Sequence, residues 1–253
     1  MSRKSLGMAL ATLLMVSGSA FADDTFYFAS PGNNVWNGVY VNPYTAELLP
    51  SGTLLPIYCD DWNTEFSGNP TWNATVLALT PGNVQYFKYG TVTSNYTVSL
   101  SGVTLVSNEN LGLTSSAVYD LYLESAYLDQ LMIGKDNTTV QELSAAEWSL
   151  FVNSSNVAGL VSAINASGSA FAGAVASDVA SAEAELPNLP ALDAGWDVIT
   201  PVGNDSDGGP MQEFLTPDFS GQLSQVPEPS AVILLGTIAG LLGLTKLRRR
   251  RQA

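Results

Sequence analysis

Tyr58-Cys59-Asp60-Asp61 sets the only thiol of the chain beside two carboxylates, and Glu65 follows shortly after. Three uses are open to Cys59: a buried structural thiol, an intermolecular disulfide, or an acyl thioester. Asp60, Asp61 and Glu65 offer a cation site or the two acids of a carboxylate-only hydrolase, for example one acting on glycosides. Asn204-Asp205-Ser206-Asp207-Gly208-Gly209 has the alternating oxygens and following glycine of half a calcium loop, with Asp205 and Asp207 as the metal candidates. Its twelfth position is Thr216 rather than Glu. Calcium is therefore the one cofactor to consider; otherwise none is expected. Lys88 and Lys135 are the only lysines between the termini, so either is a candidate for an intramolecular Lys–Asn isopeptide bond, with a simple surface lysine as the alternative. Trp36, Tyr40, Tyr44, Trp62 and Trp72 suit either core packing or stacking on sugar rings.

What is missing narrows the chemistry further. The 253 residues contain no His, which excludes a Ser-His-Asp triad, a Cys-His pair and a His-ligated zinc site. One Cys cannot close an internal disulfide. No phosphate loop, nucleophile elbow or S-x-x-K occurs. Non-enzymatic function is the expectation.

The nine basic residues are concentrated at the two ends. From Asp23 to Gln225, Lys88 and Lys135 face 22 acids (all but Glu228), a net charge of -20, within a chain total of -14. Such a body repels a phosphate backbone, so no nucleic-acid partner is expected.

The termini read as addresses. Arg3 and Lys4, the apolar run Leu6–Val16 and the small residues Ala20 and Ala22 have the order of a signal peptide, residues 1–22, cleaved before Asp23. At the other end, a linker (222–225) leads to Val226-Pro227-Glu228-Pro229. An apolar segment follows, read as a transmembrane helix over 231–247, and then Arg248, Arg249, Arg250 and Arg251. The arginines would hold the C-terminus on the cytoplasmic side.

Those C-terminal residues, 226–253, resemble the PEP-CTERM sorting signal of Gram-negative bacteria. The resemblance implies signal peptidase and exosortase as processing partners, and an inner-membrane intermediate held by the C-terminal helix. It also implies final delivery to the cell surface or extracellular matrix, in association with exopolysaccharide and biofilm.

Between the addresses, residues 23–221 read as one acidic α+β domain: an N-terminal antiparallel β region, central helices and late strands. Short apolar runs at 25–28, 38–41, 54–58, 74–79 and 95–105 alternate with Pro/Gly/Asn turns. Val118, Leu121, Tyr122, Ser125 and Leu128 recur at helical spacing after a Thr114/Ser115 cap. Thr139 and Glu142 have capping-box spacing, which predicts a second helix from Thr138 or Thr139 through Trp148 and Phe151. Weaker helices are expected over 157–186, then strands at 196–200 and 212–215.

Tyr58-Cys59-Asp60-Asp61, the Tyr119–Tyr127 helix, the Glu142–Phe151 helix and Gln212-Glu213-Phe214-Leu215, in that order, resemble PEP-CTERM surface proteins. More distantly, the Cys59 motif and the Glu142–Phe151 helix resemble bacterial thioester domains. In those, a Cys joins a Gln four residues before a Trp, and the resemblance implies a reactive Cys59. This chain has Ser144 at the Gln position, Gln141 seven before Trp148, and Glu147 in place of an Ile.

Overall fold

The computed structural model describes residues 23–217, apart from 63, 65–67, 91–95, 101–102, 108–114, 153–154 and 192–194. The signal-peptide residues, Glu65, the Val226–Pro229 motif, the apolar 231–247 segment and Arg248–Arg251 lie outside the described residues. Among the described residues, no helix is long and apolar enough to cross a membrane.

The fold is mixed α+β. Strands β1 (Asp24–Ser30), β4 (Tyr44–Leu49), β5 (Thr53–Cys59), β6 (Thr71–Ala78), β9 (Trp196–Pro201) and β10 (Phe214–Pro217) close into an antiparallel barrel in the order β1-β4-β5-β10-β9-β6. Two small hairpins stand outside it: β2 (Val35–Trp36) with β3 (Val39–Tyr40), and β7 (Tyr96–Leu100) with β8 (Val103–Ser107). The β2–β3 turn is Asn37-Gly38, with φ of 52° and 87°, the positive pair that a two-residue hairpin of this hand requires. Four helices lie between the early and late strands: α1 (Ser115–Met132), α2 (Asn137–Phe151), α3 (Val157–Ala166) and α4 (Ser169–Glu185).

Strand alternation separates two cores. The register aligns Cys59, Phe214, Ile199 and Val76 across four strands, and beside them Tyr58, Leu215, Val198 and Leu77. Members of the second row pack with the helices in one hydrophobic cluster. The opposite face fills the barrel. A six-stranded barrel is narrower than the eight-stranded kind that side chains just fill, so its lumen must be solid. Phe26 stacks on Trp72 (5.5 Å between centroids), Trp72 meets Phe214 (5.8 Å), and Tyr44 meets both Phe28 and Phe214. Each such ring removed from water contributes roughly 1.5–3 kcal/mol.

The helical layer has its own aromatic centre. Trp36 stacks on Phe171 (5.2 Å), and Trp62 packs against Trp148 (5.0 Å). Trp36, Tyr44 and Trp72 are buried and Trp62 is partly buried against the core; of the five aromatics considered for sugar stacking, only Tyr40 is exposed. Packing takes the rest.

Three local expectations need correction. Helix α2 is capped by Asp136 rather than by a Thr139–Glu142 box. Asp136 Oδ1 accepts from the N–H groups of Thr138 (3.0 Å) and Thr139 (3.1 Å), so the helix starts at Asn137. Where one run is expected over 95–105, Tyr96–Leu100 and Val103–Ser107 pair as two antiparallel strands, β7 and β8. Strand β4, unmarked in the sequence reading, pairs with both β1 and β5.

Candidate functional site

The candidate site is a seam of buried carboxyl groups between the barrel and the first two helices. It begins where β5 ends. Cys59 shares its row with Phe214, so Asp60, the next residue, follows the alternation toward the helices. Glu213, one residue before Phe214, does the same from the neighbouring strand. From the helical side, α1 presents Tyr122, Ser125 and Asp129 at i, i+3 and i+7, which is one stripe. Helix α2 brings Glu147 and Trp148.

Cys59 is the anchor of this seam through its backbone. Its N–H donates to Asn42 Oδ1 (2.7 Å), and its carbonyl accepts from Trp148 Nε1 (2.8 Å) and Asn42 Nδ2 (3.3 Å). Its sulfur touches only the Asp61 backbone among the hydrogen bonds described, at 3.3 Å from N and 3.4 Å from O. Burial first, then the charges of Asp61 and Asp60, push the thiol pKa well above its usual value. That is the environment of an inert thiol, since the thiolate is the nucleophile. Ser144, at the position where thioester domains have Gln, points its hydroxyl at Met132 Sδ (3.7 Å). Gln141 is turned away and donates to Val35 O.

Five buried acids make up the seam: Asp60, Asp61, Asp129, Glu147 and Glu213. Four of them form two groups, with Asp60 between. In the first, Asp61 makes an ion pair with Lys88 Nζ, which also donates to Thr64 Oγ1 (3.0 Å) and Met211 O (3.4 Å). Glu213 Oε2 accepts from the Lys88 backbone N–H (2.7 Å) and Thr200 Oγ1 (2.5 Å), and Oε1 accepts from Tyr122 OH. Burial raises the Glu213 pKa while these donors and Lys88 oppose the rise. A carboxylate holding that many donors is hydrogen-bonded well enough to stay inside.

The second group has no lysine. Glu147 Oε2 accepts from Asn42 Nδ2 (2.6 Å) and Oε1 from Ser125 Oγ (2.9 Å). Asp129 lies against Glu147, yet neither of its own oxygens completes a hydrogen bond of good geometry. Burial pushes both pKa values well up; the Asp129 charge adds to the rise at Glu147, whereas contact with Glu147 pulls Asp129 down. The pair therefore holds a proton at neutral pH.

Asp60 lies between the groups, wholly buried, with both oxygens lacking a hydrogen-bond partner. Burial, then Glu213, Asp61 and Glu147, raise its pKa far above the carboxylate range, with Lys88 the opposing influence. It is a neutral acid, because an isolated buried carboxylate would cost far more than a proton.

Lys88 is delivered by a tight turn. A 3₁₀ turn at Val84–Tyr86 leads to Gly90, whose N–H bonds Phe87 O (3.0 Å). A Cβ on Gly90 would come within 1.8 Å of Val84 O, so no other residue fits this path.

Of the acids singled out in the sequence, Asp60 and Asp61 sit in the seam; Glu65 is outside the described residues. Sequence reasoning missed the roles of Asp129, Glu147 and Glu213. Asp205 and Asp207 lie elsewhere, on an exposed loop. Asp205 Oδ1 accepts from the N–H groups of Asp207 (2.9 Å) and Gly209 (2.8 Å), a turn closed on itself. Among the described residues, no three His, Cys, Asp or Glu side chains are grouped to hold a metal ion.

No protein-family model matches the chain, and no match is found among curated proteins or solved structures, so the site stands on its own geometry.

Proposed function

We propose that this is an exported, non-enzymatic protein of the cell surface or extracellular matrix, delivered by a PEP-CTERM-type signal and associated with exopolysaccharide. One observation carries the reading: the folded body fits between the two addresses. Strand β1 begins at Asp24, immediately past the Ala20/Ala22 site, and Asp23 already accepts from Thr75 Oγ1 (3.1 Å). The last strand ends at Pro217, ahead of Val226-Pro227-Glu228-Pro229. The described strands of the barrel therefore run from Asp24 to Pro217, between the two signals in the sequence. The 231–247 span and the arginines 248–251 serve the intermediate held in the inner membrane.

The placement of the acids argues against the carboxylate-hydrolase alternative. A carboxylate hydrolase needs two acids facing a substrate across an open cleft. Asp60 and Asp61 are 0% and 1% exposed, enclosed between barrel and helices.

The test is processing in a host that has an exosortase. The mature surface form should begin at Asp23 and lack residues beyond about Pro229. Replacing Pro227-Glu228-Pro229 by three alanines should leave the longer form in the inner membrane. Equal size and location for wild type and variant would overturn the sorting assignment.

A further inference from the structure

We propose that Lys88 and Asp61 join in an intramolecular isopeptide bond, with Asp60 as the proton-transfer acid. The export reading is not needed for this inference; it rests on three features of the seam. First, Lys88 Nζ and Asp61 Oδ2 are in direct contact, with the Asp61 side chain buried and the Lys88 side chain 31% exposed. Second, the amine is aimed rather than free. The Lys88 backbone is held by Glu213, Gly90 fixes the turn, and Thr64 Oγ1 and Met211 O receive the remaining ammonium protons. On the other side, Gln212 Nε2 donates to Asp61 O (3.0 Å), which fixes the backbone of the electrophile. Third, Asp60 is an acid with no hydrogen-bond partner, adjacent in the chain to Asp61 and within electrostatic reach of Lys88. An orphaned buried carboxyl is costly to the fold and calls for an explanation. A proton-transfer role supplies one.

The reaction balances without a further reagent. The ammonium of Lys88 passes one proton to the Asp61 carboxylate, turning the ion pair into amine and acid. The amine lone pair attacks Asp61 Cγ, forming the C–N bond and a tetrahedral centre. Asp60 donates its proton to the departing hydroxyl, the C–O bond breaks, and water leaves. Asp60 then recovers the proton lost by the nitrogen. Ammonium plus carboxylate become amide plus water, with nothing oxidised or reduced. Holding both partners in place replaces a bimolecular encounter, the usual source of large effective molarities.

The bond would tie the end of β5 to the turn before the helices. Its signature is a mass about 18 Da below the sequence mass, the loss of one water. The experiment uses the full chain, purified, denatured and measured intact, then digested with a protease that cleaves after lysine. The expected result is that deficit, resistance to cleavage after Lys88, and a branched peptide carrying Asp61 and Lys88 after a second, aromatic-specific digestion. Lys88→Arg keeps a cation and should restore full mass. Asp60→Asn keeps both reacting groups and should reduce the linked fraction at least tenfold. Full mass with complete cleavage after Lys88 in the wild type overturns the proposal, whatever the variants do. So does a deficit mapped to an unbranched peptide, or one of about 17 Da involving Cys59, which would be loss of ammonia in a thioester.

Discussion

The Asp61–Lys88–Glu213 group and the Asp129–Glu147 group are neighbours in one seam, yet they are made tolerable to the interior by different means. The first brings in a cation and several donors. The second has neither lysine nor arginine, and keeps a proton instead. A proton retained in this way is surrendered as pH rises. The two halves of the seam should therefore fail under different insults.

Removing the cation should do the most damage. Lys88→Met leaves Asp61 buried with neither a counter-ion nor the proposed amide link, and the cost should be at least about 3–5 kcal/mol at pH 7, read as a lower urea midpoint. Lys135→Met, on an exposed stretch, should stay within about 0.5 kcal/mol. Equal effects would mean that the ion pair is dispensable.

Raising the pH should separate the groups next. Glu124 extends the proton-holding behaviour to the far side of α1; burial, then Glu183 and Asp120, push its pKa up to about 8 from 4.5. Between those values the folded state binds the proton and the unfolded chain does not. Stability from this group is thus complete below about pH 4.5 and lost as pH rises through about 8. Denaturant midpoints should fall over that interval, and Glu124→Gln should flatten the fall by on the order of 3 kcal/mol. A midpoint rising with pH would contradict the assignment.

The finest test imitates the held proton. Glu147→Gln can still accept from Asn42 or Ser125 and can donate to Asp129, so it should cost under about 1 kcal/mol at pH 5. It should match or exceed wild type at pH 8. Glu147→Leu strands those partners and should cost about 1–3 kcal/mol at both values. If Gln and Leu behave alike, the pair shares no proton.

Much of the helical side was legible. Val118, Leu121, Tyr122 and Ser125 mark α1 by spacing, and the same stripe continued to Asp129 reaches the seam. Strand β4 was obscured because Tyr44–Leu49 is a short run between Pro43 and Pro50, which read as turn residues. The α2 cap was misplaced because Thr139 and Glu142 have box spacing, while Asp136, three residues earlier, has the stronger acceptor. The seam itself had one local sign, a Glu at position 147 within the otherwise apolar Ala145-Ala146-Glu147-Trp148. Cys59, Asp60 and Asp61 were visible as a motif. Their partners Lys88 and Glu213 lie 27 and 152 positions from Asp61 along the chain, and only barrel closure unites them.

That closure also sets a timetable. Strands β1, β4, β5 and β6 can assemble as soon as the first third of the chain exists, but the sheet they form has two open sides, at β5 and β6. Both wait for β9 and β10, which lie beyond all four helices and near the end of the folded body. A chain emerging from its N-terminus thus carries an unfinished sheet, with backbone groups ready to pair with a neighbouring molecule, for most of its delivery. Protection by a holding chaperone would matter most in that window, and a truncation before Trp196 should be recovered as aggregate rather than as a smaller folded protein.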